Sequence, residues 1–398
     1  MELTYVAYEE IKRIRELDCS NVERTRLFAT LSRINTLYMI MQAGSGHIGS
    51  SFSAMDIVSW LYLIEMELAE DPNADGDIYF SSKGHDAPGY YSVLLGLGRL
   101  DFSLIHELRR LNGLPGHPDV EVPGVQANTG SLGMGISKAK GMVLAHRLQN
   151  KKAKVYVLTG DGELQEGQFW ESLASAVHLG MSEITVIIDH NKIQSDTWVS
   201  LVNDLGDLEA KLKAFGWYVT RCDGNDVQAV SGCLEECKKI SDRPQIIIAD
   251  TLKGQGVPFM ADTAMLDEGE LYQFHSGAPA AEDYVRACEE LIENANGQLR
   301  SLGAEKLKLE QADLRPRAVV DDPQRLIAAY SRALVSQGRN NPALVALDAD
   351  LVLDCGLIPF REQFPERFVE CGIAEMDMLS MASGLALRGM LPVVHTFA

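Results

Sequence analysis

The chain has 398 residues, 46% of them hydrophobic and 23% charged. That is ordinary globular composition and argues against a disordered chain, a collagen or a coiled coil. Its 36 basic and 56 acidic residues give a formal charge of −20, and so negative a surface repels phosphate backbones, so no nucleic-acid partner is expected. No apolar run approaches the roughly 18 residues that span a bilayer, so no membrane partner is expected either. The first twenty residues carry Glu2, Glu9, Glu10, Lys12, Arg13 and Arg15 and hold no signal-peptide core. The seven cysteines form no CxxC pair, and Cys233 and Cys237 have no His or Cys nearby to complete a zinc site. Thinly spread thiols fit a reducing cytoplasm.

At about 150 residues per domain the length predicts two or three domains. From Tyr5 to Leu63 the pattern is mostly helical, broken by a Ser/Gly cluster at 43–50. A second loop at Phe80–Asp86 precedes a helix from Gly89 to Leu97, and a Gly/Pro-rich stretch runs from Gly113 to Gly135. An alternation then begins: strand Lys154–Leu158, helix Gly167–Leu179, strand Glu183–Asp189, helix Lys211–Phe215, strand Trp217–Arg221, helix Val227–Ile240, strand Gln245–Asp250. Near-continuous apolar strands between helices predict an α/β fold with a buried parallel sheet. Charged, weakly periodic sequence around 301–322 reads as a linker between a first domain (1–300) and a partial second one (323–398). The second pattern is helix Arg325–Ser336, strands Leu344–Asp348 and Phe368–Glu370, helix Ala374–Leu387 and strand Leu391–Phe397. A final strand with no helix after it predicts a bare apolar edge.

The most informative segment is Gly160-Asp-Gly-Glu-Leu-Gln-Glu-Gly, followed by Asp189-His-Asn-Lys-Ile-Gln. Asp161 ends one strand and Asn191 the next, with one helix between. Right-handed βαβ geometry sets such strand ends side by side, so the two side chains can converge on one hard cation. A carboxylate, an amide oxygen and a backbone carbonyl suit Mg²⁺, which keeps the rest of its shell for phosphate oxygens and water. Gly160 and Gly162 let the backbone approach a diphosphate at the carboxyl ends of the strands. A lone GDG is ordinarily a surface turn; the strand-end Asn at this spacing makes the pattern specific.

This segment resembles the thiamine diphosphate motif, and its surroundings resemble the transketolase family. The matching stretches are Gly44-Ser-Gly-His47, Ser82-Lys-Gly-His85, Gly116-His117-Pro-Asp, Asn128-Thr-Gly130-Ser-Leu-Gly, the metal motif, Thr251-Leu-Lys-Gly-Gln-Gly, Phe274-His275-Ser-Gly-Ala-Pro, Asp348-Ala-Asp350 and Gly372-Ile-Ala-Glu375. They fall in family order along the whole chain. The resemblance implies a thiamine diphosphate-binding fold, with Asp161, Asn191 and the carbonyl of Ile193 holding Mg²⁺ and Gly162 against the diphosphate. It places His85 and His275 at the diphosphate and reacting centre, and His47 and His117 at the substrate's oxygens. It sets Gly130 and Leu132 beneath the cofactor rings, Asp350 near the thiazolium, Phe397 by the aminopyrimidine and Glu375 at its N1′. Glu166 matches an acid linking the two sites of a dimer. The implied activity is transfer of a two-carbon ketol unit from a ketose to an aldehyde. A carboxylate at N1′ is expected to be buried with a raised pKa.

The chain departs from the family in three places. The family has three domains, and this chain covers the first and the opening part of the second. A separate chain completing the domain, a shortened product, or a degenerate relative would each explain it. The expected assembly is a homodimer, or a heterotetramer with a chain supplying the rest. Asp354 stands where the family often has a phosphate-contacting Ser, and a carboxylate repels phosphate, so free rather than phosphorylated sugars are an expected substrate class. Ile48 replaces a family proline, a change expected to matter little. The alternatives are another thiamine-dependent carboligase, similar to deoxyxylulose phosphate synthase, and a non-catalytic scaffold subunit.

Overall fold

The computed structural model describes residues 1–69, 76–267, 269–315 and 326–397. Its strands in chain order are β1 (Glu2–Tyr5), β2 (Ile78–Ser81), β3 (Val155–Gly160), β4 (Ile184–His190), β5 (Ile193–Gln194), β6 (Thr197–Trp198), β7 (Tyr218–Asp223), β8 (Gln245–Asp250), β9 (Glu310–Asp313), β10 (Leu344–Asp348), β11 (Phe368–Glu370) and β12 (Leu391–His395). The main sheet is β2-β3-β4-β8-β7, all parallel. Its central strands are apolar on both faces because helices cover both: Val155, Val157, Ile184, Val186, Ile188, Ile246 and Ile248 pack into one cluster, while Tyr156, Leu158, Ile187 and Ile247 pack into another.

The long helix Asn21–Ala43 runs through the second of these clusters and is buried almost all round. A capping box starts it, with the Ser20 hydroxyl oxygen accepting from the Glu23 N–H and the Glu23 carboxylate accepting from the Ser20 N–H. Gly44 stops it at φ +68°, a left-handed turn that glycine adopts without strain. The chain thereby leaves the helix directly into the loop carrying His47.

Two parts of the expected outline are redrawn. β2 lies partly in the segment read as a loop from Phe80; four residues, all buried, are too few to show a period. The stretch read as a linker begins inside a helix, Ala281–Ser301, whose buried face is Tyr284, Ala287, Cys288, Leu291, Ala295 and Leu299. Further on, β9 pairs antiparallel with β1, so residues 310–313 fold back on the first domain. Residues 316–325, the rest of the expected linker, lie outside the described residues.

The second domain is a three-stranded parallel sheet in the order β11-β10-β12. β12 stands at an edge, with Leu391 and Val394 partly exposed. No described helix is long and apolar enough to cross a membrane.

Candidate functional site

Parallel pairing of β3 with β4 sets Gly160 opposite Asp189, so the loops after both strands emerge side by side. Asp161 is buried there. Its Oδ1 accepts from the Gly162 N–H at 2.9 Å, and its Oδ2 accepts from the N–H of Lys192, next to Asn191. Asn191 turns back over the same loop, its Oδ1 accepting from the Ile193 N–H at 3.1 Å. The predicted acid and amide therefore meet over one short stretch of backbone. Lys192 has φ +70° and Ser195 φ +35°, a strained shape that points to a constrained site.

Burial, reinforced by Asp189, raises the Asp161 pKa to about 6, against the pull of His190 and two backbone N–H groups. A bound dication would supply the positive charge that keeps this carboxylate ionised. No group of three or more His, Cys, Asp and Glu forms a metal cluster among the described residues. The residues that could hold a metal are one carboxylate, one amide and the Ile193 carbonyl, a set that would suit a Mg²⁺ completing its shell with phosphate oxygens and water.

Beside this loop stand three histidines. The His47 ring lies 5.0 Å from His85 and 5.1 Å from His275, and those two lie 6.1 Å apart. Burial, aided by the charges of Arg109 and His117, lowers the His47 pKa to about 3. Burial also takes His85 and His275 well below the usual range. The buried Nδ1 atoms of His47 and His275 and the Oγ of Ser50 have no hydrogen-bond partner. Buried polar atoms without partners are uncommon and ask for a ligand. Neutral imidazoles among cationic neighbours form a pocket that favours an anion, which fits a diphosphate. His117 sits at the rim, the most exposed of the four. Gly130, at φ +142°, packs there: a Cβ on it would stand 3.1 Å from His117 Cδ2.

Several residues of this site were missed in reading the sequence. Lys253 is fully enclosed, and burial lowers its pKa to about 8. Its Nζ donates to the Ile193 carbonyl at 3.1 Å and the Ser195 carbonyl at 2.9 Å, so it joins the metal loop to the histidine pocket. Gly49 must be glycine beside it, since a Cβ would meet Lys253 Cγ at 2.9 Å. Glu163 ties the Gly130 loop to the metal motif, accepting from Ser82 Oγ, Gly133 N–H and Gly160 N–H. Both residues lie inside quoted motifs. A lysine or acid within a Gly-rich loop was the available signal.

Leu132 is half-buried on the loop that Glu163 holds. Glu166 and the half-buried Glu375 face each other across the two domains. Burial, then the hydrogen bond and charge of Glu375, raise the Glu166 pKa to about 8. Asp350 reaches the metal loop, its Oδ2 accepting from Ser195 Oγ at 2.6 Å. Phe397 is 70% exposed and makes no aromatic contact among the described residues, so it is not gathered into the site.

An α/β chain whose strand ends bring a buried carboxylate and an amide beside a pocket of buried histidines has the layout expected of a diphosphate-cofactor protein. Residues 24–289 match the transketolase thiamine diphosphate binding domain and residues 323–398 the transketolase pyrimidine binding domain. The chain belongs to the transketolase family. It is 31% identical over 402 residues to transketolase-like protein 2 of Mus musculus, covering 98% of this chain and 63% of that one. It is 34% identical over 280 residues to one of the subunits of apulose-4-phosphate transketolase from Actinobacillus succinogenes, covering 68% of this chain and 98% of that one. Transketolase from Leishmania mexicana shares the fold, with a TM-score of 0.59 at 22% identity over 95% of this chain and 64% of that one. The chain thus spans less than two thirds of the length of the mouse relative.

Proposed function

We propose that the chain is a thiamine diphosphate- and Mg²⁺-dependent transketolase-type subunit that moves a two-carbon ketol unit from a ketose to an aldehyde. The observation that carries this is the convergence of Asp161, Asn191 and Ile193 beside a pocket of neutral histidines. Thiamine diphosphate, when bound, supplies a nucleophilic carbon at C2 of its thiazolium ring. Asp161, Asn191 and the Ile193 carbonyl would hold the metal, with Gly162, His85 and Lys253 against the diphosphate. An anion bound among His47, His85 and His275 raises their pKa values. That moves them toward the range in which they exchange protons with substrate oxygens near neutral pH. His117, at the rim, meets the substrate first. Gly130 and Leu132 support the cofactor rings, Asp350 lies by the thiazolium, and Phe397 lines the pyrimidine side once that side is covered. Glu375 holds N1′, and Glu166, which faces it, links the two sites of a dimer.

Apolar side chains on the second domain support an assembly in which another polypeptide segment or chain covers it, as homodimer or heterotetramer. Met376 is 78% exposed and Leu387 81%, and exposed clusters of this kind mark interfaces. Asp354 raises the pKa of the nearby Asp196, itself lifted by burial to about 6. Two acids at that end favour free ketoses over phosphate esters. All seven cysteines are unpaired, in keeping with a cytoplasmic protein.

Titration calorimetry with thiamine diphosphate and Mg²⁺ tests the reading. Binding that needs the metal is expected, and Asp161→Ala should abolish it. Glu375→Ala should spare binding while turnover of a ketose with an aldehyde falls by about a hundredfold or more. Metal-independent binding, or full turnover in Glu375→Ala, would refute these roles. Turnover with pyruvate in place of the ketose would favour the carboligase reading. No heat with or without a completing chain would favour the scaffold.

A further inference from the structure

The residues that follow the Ile193 carbonyl are bonded to the second domain. Gln194 is buried and pairs side chain to side chain with Gln165 at 2.5 and 3.1 Å. The Gln165 Oε1 also accepts from the Ile373 N–H at 2.9 Å. Next, Ser195 Oγ donates to Asp350 Oδ2 at 2.6 Å. Ser195 at φ +35° and Asp350 at φ +61° both occupy the left-handed region without being glycine, and such strain persists only where surrounding bonds impose it. On the second-domain side, Glu370 Oε1 accepts from both the Asp350 N–H and the Gly372 N–H at 3.0 Å. Asp350 and the 370–375 turn therefore move together. A Cβ at Gly372, which holds φ +72°, would press on the Gln165 Oε1 and force that side chain out of its present contacts.

We propose that Gln194 and Ser195 are positioning residues that latch the second domain onto the metal-binding loop, so that loading that loop and seating Asp350 and the 370–375 turn are one coupled event. The inference rests on the cofactor reading above and adds a direction of control to it. Lys253 now bridges the Ile193 and Ser195 carbonyls. A cation taking the Ile193 oxygen bears on the same three residues whose far end grips Asp350. Coupling of this kind is reciprocal: if loading tightens the latch, loosening the latch weakens loading by the same factor.

Hydrogen exchange read by mass spectrometry on the full chain decides the matter, with Mg²⁺ and thiamine diphosphate as the probe. Loading should slow exchange about tenfold in residues 348–354 and 370–376 as well as in 189–196. Ser195→Ala should erase the slowing at 348–354 and raise the dissociation constant of the probe about tenfold. Ser195→Asn, which tolerates the left-handed backbone at φ +35° and keeps a side-chain donor for Asp350, should restore both in part. Protection confined to 189–196, or a Ser195→Ala protein that binds and is protected like the wild type, overturns the latch while leaving the cofactor reading intact. Should the wild type take up no cofactor at all, that reading fails. The latch is then judged on the cofactor-free chain, where Ser195→Ala must speed exchange at 189–196 and 348–354 together. Faster exchange on one side only, or on neither, overturns it.

Discussion

The central acids of the two domains have different partners. In the first, two of the most deeply buried carboxylates each hold a cation. Asp189 receives Lys83 Nζ at 2.5 Å, with Ser53 Oγ, Thr251 Oγ1 and, at 3.4 Å, Asn191 Nδ2 also donating to it. Asp56 receives the Arg33 guanidinium at 2.5 Å. In the second, Asp348 and Glu370 face each other across β10 and β11, and Asp350 lies beside them. Burial first, then Glu370, raises the Asp348 pKa to about 8, and burial raises Asp350 to about 6. The apolar surfaces differ in the same sense. The first sheet is closed over by helices on both faces, whereas Leu379, Leu387 and Leu391 of the second stay about half exposed or more. In the first domain Asp189 and Asp56 are neutralised within the fold, and its orphaned polar atoms include His47, His275 and Ser50 of the candidate pocket. The second has a facing pair of acids, Asp348 and Glu370, and uncovered apolar surface, the marks of a surface that meets something else.

The sharpest way to break this contrast is to remove a cation from the first domain. Lys83→Met leaves the Asp189 side chain buried and without its cation. Breaking one side of a buried pair destabilises by about 3–5 kcal/mol. All four tryptophans, at 60, 170, 198 and 217, lie in the first domain, so urea unfolding followed by their fluorescence isolates the effect. A change below about 1 kcal/mol would mean that the Ser53 and Thr251 hydroxyls suffice for Asp189, and that the paired-acid half of the comparison is wrong.

Core truncation comes next in size. Ile187 stands mid-sheet between β3 and β8 and is 1% exposed. Ile187→Ala should destabilise the first domain by about 2–5 kcal/mol. Leu379, 53% exposed on the helix Glu375–Leu387, should tolerate alanine within about 0.5 kcal/mol in the isolated chain. Equal losses at the two positions, measured by hydrogen exchange in each domain, would show that the second domain's helix is already covered by a second copy in solution.

How much of this was legible beforehand follows from the same division. The central strands announced themselves because burial on both faces demands unbroken apolar runs, and Gln245–Asp250 is found at the residues expected. Asp161 and Asn191 were legible because strand direction alone puts two successive strand ends together. β9, with the sequence Glu-Gln-Ala-Asp, was not legible: its pairing comes from β1, some 300 residues away, and no local pattern marks it. Lys253 was hidden for a related reason. A lysine is expected at the surface, and only the folded loops show it enclosed between the metal loop and the histidines. The Ser195–Asp350 contact joins two domains, and no spacing within either predicts it.

The smallest predicted effect tests the acidic half of the comparison through pH. The Asp348 carboxyl is raised in the folded chain and ordinary in the unfolded one, so the folded state holds its proton more tightly. Its contribution to stability is fully present below the unfolded value near 4 and is lost as the pH rises through about 8. Asp348→Asn keeps an oxygen for the Leu351 N–H, which now bonds Asp348 Oδ2 at 3.0 Å, and cannot ionise. Exchange in β10 and β11, corrected for the intrinsic pH dependence, should match the wild type at pH 4 and fall progressively below it up to pH 9. The difference should shrink when a cation or a completing segment neutralises the Asp348–Glu370 pair, because the wild type then loses less stability on ionising. A difference that is flat across this range would mean that Asp348 holds no extra proton in the folded chain. The second domain's acids would then be as well served as those of the first.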